Sequence, residues 1–146
     1  MKIIVDIDNT LSLSNDRFNK ATKENGKIDW NIAFNDEYMI LDKPNISMIE
    51  ISNNFKDKGY EVIILTGRPE STRNVTEKWL DKFNIQYDKL YMRNREDHFM
   101  KADLFKKKIY ETYIKEDVIC AFDDEQSIID MWMDLKIPAF KIQAIQ

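Results

Sequence analysis

The sequence has little of the residues that cross-link, break or anchor a chain. Its 146 residues include one cysteine, three glycines, three prolines and one histidine. The lone cysteine, Cys120, excludes an internal disulfide and predicts a cytoplasmic chain. The scarcity of glycine and proline, together with the absence of polar low-complexity tracts, predicts a compact chain with short loops. The longest apolar runs span only about five residues, which is too short for a membrane-spanning helix.

The charge balance also excludes some classes of protein. The formal net charge is −4, whereas proteins that bind duplex nucleic acid without sequence preference are strongly basic. One local exception lies between Lys89 and Lys108, where seven basic residues outnumber three acidic ones. The length and the 43% hydrophobic fraction are typical of one domain, so we predict a single domain over residues 1–146.

Short apolar runs predict the strands of a sheet. The strongest, at residues 3–5, 62–65 and 118–122, are rich in β-branched residues, and weaker ones occur at 89–92 and 139–142. Between these runs, apolar residues at three- and four-residue spacing predict helices near residues 46–55, 75–83, 104–110 and 128–135. The alternation favours a doubly wound α/β fold with a mainly parallel, five-stranded, Rossmann-like sheet.

The segment from residue 12 to residue 42 does not fit this alternation. It is polar, with scattered aromatic residues, and it directly follows the first acidic cluster. We therefore predict a small helical cap insertion over the functional site. For Trp30, Phe34 and Tyr38, packing of the insertion onto the body is the favoured interpretation, and stacking on a nucleobase is the alternative.

A polar cluster follows each of the three strongest predicted strands. Asp6 and Asp8 follow the first, Thr66 the second, and Asp123 and Asp124 the third. Ligands of doubly wound sheets bind at the carboxyl ends of the strands, where these clusters meet. Because neighbouring carboxylates repel and a divalent cation relieves that repulsion, the clusters predict a magnesium site. An Asp-x-Asp pair alone is more often a solvated turn, so the prediction depends on the clusters together.

The clusters resemble, in order, the motifs of the haloacid-dehalogenase-like phosphatases. The first, second and fourth motifs are similar to residues 6–10, 65–68 and 122–124, and Lys106 is a candidate for the third. More narrowly, residues 66–68, 90–93, 106–110 and 123–132 resemble the 3′-phosphatase domain of phage polynucleotide kinase/phosphatases. Asn9 stands where the family most often has glycine. Phe99 and Met100 interrupt the family's pattern after Asp97, which leaves Lys101 as an alternative to Lys106.

The resemblance implies catalytic roles for four residues. Asp6 would attack phosphorus and form a phosphoaspartate, and Asp8 would act as general acid and then general base. Thr66 and Lys106 would bind the transferring phosphoryl group. These roles predict a phosphoric monoester hydrolase that works in two steps.

The resemblance also implies metal and substrate ligands. Mg²⁺ would be held by the Asp6 carboxylate, the Asp8 backbone carbonyl and Asp123. Asp124 would hold a metal-bound water or would contact the metal ligands without binding the ion itself. Arg68 and Arg93 would clamp a phosphate or a neighbouring nucleotide. Arg17 would reach a substrate phosphate from the cap, with a solvated surface charge as its alternative.

The resulting prediction is a magnesium-dependent phosphatase that removes the 3′-terminal phosphate from DNA or RNA. Its partner would be a 3′-phosphorylated nucleic acid end or a nucleotide, with no membrane and no obligate protein partner. A nucleotidase or other small-molecule phosphatase would use the same motifs, which determine the reaction and not the leaving group. The basic stretch from Arg93 to Lys108 separates the two predictions, because it should line a groove for a nucleic acid strand, whereas a nucleotidase would use a closed cap pocket. A non-catalytic binding module on the same fold is the remaining alternative.

Overall fold

The computed structural model describes residues 1–146, and its strands and helices alternate for most of the chain. The strands are β1 (Lys2–Val5), β2 (Ser12–Leu13), β3 (Lys43–Pro44), β4 (Glu61–Pro69), β5 (Lys89–Arg93), β6 (Val118–Asp123) and β7 (Ala139–Lys141). The α-helices are α1 (Asn15–Ala21), α2 (Trp30–Ala33), α3 (Asp36–Met39), α4 (Ile46–Asp57), α5 (Arg73–Lys82), α6 (Ala102–Ile109) and α7 (Gln126–Asp134). None of the helices combines the length and the apolarity that a membrane span requires.

Five strands form one parallel sheet in the order β5-β4-β1-β6-β7. In the central strand, Ile4 pairs with Ile63 of β4 on one side and with Ala121 of β6 on the other. Strands that run parallel in one sheet need long crossover connections, and α4, α5, α6 and α7 each lie in one of them. The predicted doubly wound, mainly parallel α/β fold with five strands is confirmed.

The core lies on both faces of the sheet, because successive residues of a strand point to opposite sides. Ile3 and Val5 pack with Met48 of α4 and Trp79 of α5 on one face. On the other face, the neighbouring strand residues Ile4 and Ile63 pack with side chains of α6 and α7, including Phe105 and Trp132. Burial on both faces explains why the central strands are uninterrupted apolar runs.

Residues 12–44 form a separate substructure, which we call the insertion. Its two ends pair as the antiparallel strands β2 and β3, and the short helices α1, α2 and α3 lie between them. The insertion contacts the body where the Trp79 indole donates a hydrogen bond to the carbonyl of Asp42 at 2.8 Å. The prediction of core packing is wrong for Trp30, which is 55% exposed. Trp30 begins the one-turn helix α2 and stacks only on Phe34.

Candidate active site

The chain turns sharply where β1 ends, and this turn places the first acidic pair. Asn9 has a φ of 56°, in the left-handed region that asparagine tolerates better than most residues other than glycine. The backbone conformation therefore accounts for an asparagine where the phosphatases that the sequence resembles most often have glycine. One turn residue, Thr10, donates a hydrogen bond from its hydroxyl to Oδ2 of Asp6 at 3.3 Å. The turn thus helps to orient the Asp6 carboxylate.

Lys106 of α6 joins the carboxyl ends of β1 and β6. Its Nζ donates to Oδ1 of Asp6 at 2.8 Å and to Oδ2 of Asp123 at 2.5 Å. The three residues are 2%, 6% and 2% exposed, respectively, and a lysine this buried is usually paired, as it is here. Lys101, the alternative phosphate-binding lysine, is exposed at the residue before α6. Of the two lysines, Lys106 is the one that contacts the proposed nucleophile.

The acidic cluster carries more negative charge than one lysine neutralises. Burial, reinforced by Asp123 and Asp124, holds the pKa of Asp6 well above its usual range, although Lys106 opposes the shift. Burial and the neighbouring Asp123 and Glu125 raise the pKa of Asp124 to about 7. Burial by itself lowers the pKa of Lys106, but Asp123 and Asp6 raise it by more. Carboxyls with raised pKa values mark a place where an added cation is favourable.

The donor set fits a divalent cation. Carboxylate oxygens of Asp6, Asp123 and Asp124 all lie within 4.8 Å of one another. Magnesium prefers hard oxygen ligands and usually takes few carboxylates, keeping several waters. Haloacid-dehalogenase-like phosphatases generally use such an ion, and these residues match that chemistry. The Asp8 carboxylate lies outside this group, and a metal contact through its backbone carbonyl stays a prediction.

Two arginines hold the Asp8 side chain. Arg68 donates from Nε to Oδ2 at 3.2 Å and from Nη2 to Oδ1 at 2.8 Å, and Arg17 also donates to Oδ1. Burial raises the pKa of Asp8, but Arg68 and Arg17 together lower it by more, to about 2. Asp8 is therefore ionised at neutral pH in this state.

Both arginines also pair with Asp42, a carboxylate that no sequence motif singles out. It accepts hydrogen bonds from Arg17 at 2.9 Å and from Arg68 at 3.3 Å. Arg17 is 3% exposed and Arg68 is fully buried, so the surface-charge alternative for Arg17 is wrong. The pairing with Asp8 and Asp42 explains the burial of both arginines, since buried charges require partners. Their predicted contact with a substrate phosphate stays a prediction.

A cavity of about 530 Å³ joins these groups to the insertion. Its walls include the proposed catalytic and metal residues and three aromatic residues of the insertion: Asp6, Asp8, Thr66, Lys106, Asp123, Asp124, Phe18, Trp30 and Phe34. Arg93 also lines it, but its Nη1 donates to the carbonyls of Asp97 at 2.9 Å and Met100 at 2.7 Å. Those bonds support the loop that follows β5, and substrate binding by Arg93 stays a prediction.

Comparison with known proteins places the chain in a family. The family model of the polynucleotide kinase PNKP phosphatase domain matches residues 1–145. A protein of Autographa californica nuclear polyhedrosis virus, described as a bifunctional polynucleotide kinase/RNA ligase, is 39% identical over 80 residues. That match covers 53% of this chain and 11% of the viral protein, so the similarity concerns a small part of a longer protein.

Two solved structures share the fold of this chain. A chain of the Pnkp1/Rnl/Hen1 complex is 33% identical with a TM-score of 0.78, and the match covers 97% of this chain and 45% of that one. A predicted phosphatase from Clostridium acetobutylicum shares the fold at 14% identity, with a TM-score of 0.71, and the match covers 96% of this chain and 83% of that one. Because the family model spans almost the whole chain, the protein belongs to the phosphatase-domain family of polynucleotide kinase PNKP, whose members are haloacid-dehalogenase-like phosphoric monoester hydrolases.

Proposed function

We propose that this protein is a magnesium-dependent phosphatase that removes the 3′-terminal phosphate from DNA or RNA through a phosphoaspartate on Asp6. The observation that carries the proposal is the contact of Lys106 with both Asp6 and Asp123 on the wall of the cavity. It puts a carboxylate nucleophile, a phosphate-binding cation and a metal-type acidic group at one place. The family and the viral relative, whose names refer to polynucleotide kinases, support a nucleic acid end as the substrate.

In the first step, a carboxylate oxygen of Asp6 attacks phosphorus and the bond from phosphorus to the sugar oxygen breaks. Lys106 donates to an oxygen of the transferring group, and the Thr66 hydroxyl, which lies on the same cavity wall, donates to another. Magnesium held by Asp6, Asp123 and Asp124 would supply further neutralisation of phosphoryl charge. The product of this step is an aspartyl phosphate and a free hydroxyl end.

Asp8 would protonate the leaving oxygen and then take a proton from the water that hydrolyses the aspartyl phosphate. The pKa of about 2 opposes the first of these tasks, because the arginines favour the ionised form. A substrate phosphate dianion beside Asp8 acts in the other direction, since a nearby negative charge raises the pKa of a carboxyl. We therefore propose that Asp8 takes up its proton as the substrate binds, and that Arg17 and Arg68 stabilise the carboxylate after it has donated.

The test compares an oligonucleotide with a 3′-phosphate, the same oligonucleotide with a 5′-phosphate, and a 3′-mononucleotide. We expect the 3′-phosphorylated oligonucleotide to have the highest kcat/KM and the 5′-phosphorylated end to be a poor substrate. Asp6→Asn, which keeps the shape of the side chain, serves as the inactive control. A 5′-phosphate released as fast as a 3′-phosphate would contradict the proposed specificity.

A nucleotidase is the second candidate, and the contacts of the basic stretch from Arg93 to Lys108 favour it. The sequence predicted that this stretch lines a groove for a nucleic acid strand, but Lys108 pairs with Asp97 at 2.5 Å. Arg95 and Lys101 do not line the cavity, and Arg93 bonds to backbone carbonyls. Equal kcat/KM for the oligonucleotide and the mononucleotide, with equal dependence on salt, would favour this candidate, since upstream phosphate contacts weaken as salt rises.

A further inference from the structure

The insertion contributes only aromatic side chains to the wall of the catalytic cavity. These are Phe18, Trp30 and Phe34, whereas the sheet, the loops around it and α6 contribute the charged groups. Trp30 and Phe34 stack on each other with ring centroids 5.4 Å apart and an interplanar angle of 16°. Trp30 is nevertheless 55% exposed, because Phe34 covers only part of it. A tryptophan that served only to pack the insertion onto the body would be buried.

The position of this aromatic pair is held by the same network that holds Asp8. Asp29 caps α2 by accepting a hydrogen bond from the backbone N–H of Asn31 at 3.1 Å. At the other end of the helix, Ala33 is fully buried and its carbonyl accepts a hydrogen bond from Arg17. Since Arg17 also contacts Asp8, one arginine connects the aromatic pair to the proposed catalytic acid.

We propose that the Trp30–Phe34 pair forms a stacking subsite for the nucleobase of the nucleotide that carries the phosphate. This inference rests on the proposed function and names the second recognition element of the same site. A nucleotide has one strongly charged end and one flat aromatic end, which matches a cavity that is ionic on one part of its wall and aromatic on another. Every base has a π-face, so the subsite would accept all four bases with little preference.

The experiment uses two 3′-phosphorylated oligonucleotides that differ only at the terminal residue, which carries adenine in one and is abasic in the other. For the wild-type protein we expect the adenine substrate to have the higher kcat/KM. Trp30→Ala should lower the ratio of the two kcat/KM values by about fivefold to 150-fold, the range that alanine substitution gives for one stacked base. Trp30→Phe, which keeps an aromatic face, should retain most of the ratio.

Tyr113 offers a matched control. It is 57% exposed and stacks on Tyr91 with centroids 5.6 Å apart at 15°, much as Trp30 stacks on Phe34, but it lies outside the cavity. Tyr113→Ala should leave the ratio unchanged. An unchanged ratio in Trp30→Ala, or an equal loss in Tyr113→Ala, would overturn the subsite while leaving the phosphatase proposal intact.

A binding measurement separates the subsite from catalysis. Trp30 is the exposed tryptophan, since Trp79 and Trp132 are at most 1% exposed, so a stacked base should quench mainly its fluorescence. In the Asp6→Asn background we expect adenosine 3′-monophosphate to quench the signal and inorganic phosphate to leave it unchanged, with the quenching lost in Trp30→Phe. Equal quenching by the two ligands would overturn the inference. Absence of hydrolysis of any phosphorylated oligonucleotide by the wild-type protein, with base-specific quenching retained, would instead contradict the proposed function alone.

Discussion

Asp42 accepts hydrogen bonds from two nitrogens of Arg17, from Nε to Oδ1 at 3.1 Å and to Oδ2 at 3.2 Å, and from Nη2 to Oδ2 at 2.9 Å. Together with Asp8 and Arg68 they form a buried group of two anions and two cations that joins the end of the insertion to the end of β1. An uncompensated charge would remain if one member were removed. The active site and the insertion are therefore connected by charge pairing as well as by the chain.

Removal of the Asp42 charge should affect stability. We expect Asp42→Asn to lower the free energy of unfolding by about 3 kcal/mol, because it leaves one buried guanidinium without its counterion. Urea denaturation measures the change. The control is Glu77→Gln, which removes the exposed pair with Arg73 at 3.2 Å and should cost less than about 1 kcal/mol. Equal effects of the two substitutions would show that the buried group contributes no special stability.

Asp42→Asn should also affect catalysis through Asp8. Because Arg17 and Arg68 would be held less firmly, Asp8 should donate its proton to the leaving oxygen more slowly. The fall in kcat should be larger with alkyl phosphates, whose leaving oxygen needs a proton, than with p-nitrophenyl phosphate, whose leaving group departs without one. A leaving-group series at fixed pH measures this difference. Equal loss over the series would indicate a purely structural role for Asp42.

Asp6→Asn should abolish turnover and keep the fold. The amide nearly matches the carboxylate in shape but does not attack phosphorus, so we expect a loss in kcat of about 10⁴-fold or more. In acid-quenched reactions with radiolabelled substrate, the wild-type protein should carry labelled phosphate and the variant should not. Circular dichroism checks the fold. Label retained in the variant would assign the nucleophile to another residue.

The two candidate lysines can be separated by one pair of variants. Lys106→Met should lower kcat at least about 100-fold, because it removes the cation that contacts Asp6 and that we propose binds the transferring phosphoryl group. Lys101→Met changes an exposed side chain of the same type and should stay within about twofold of the wild-type rate. Steady-state assays with a small phosphate ester decide between them. The reverse order of effects would reassign the role to Lys101.

Magnesium should stabilise the protein as well as activate it. At a concentration about 100 times its Kd, a ligand of the folded state adds about 2.7 kcal/mol, which corresponds to a rise in Tm of roughly 5–10 °C for a domain of this size. We expect this rise in thermal denaturation experiments, its reversal by chelator, and its loss in Asp123→Asn more than in Asp124→Asn. Full activity after exhaustive chelation would contradict the metal site.

Much of the fold could be predicted from the sequence, because parallel strands buried on both faces leave a local signal. The runs at 62–65 and 118–122 are apolar and rich in β-branched residues, and they lie within β4 and β6, the two strands that flank β1 in the sheet. The acidic residues at the ends of such strands could be predicted to converge, since parallel strands end at one edge. Asp6 and Asp123 do converge, on Lys106.

The sequence by itself thus determined the sheet, the helices that cross it and the edge at which the acids collect, because these follow from periodicity over neighbouring residues. Only the tertiary structure decided that Lys106 rather than Lys101 contacts the acids, that Asp42 pairs with Arg17, and that Trp30 faces the cavity instead of the core. Those relationships join residues that are distant in the chain or depend on how the insertion packs against the body. No local pattern encodes them, since the energy of a buried charge or an exposed ring depends on the neighbours that folding supplies.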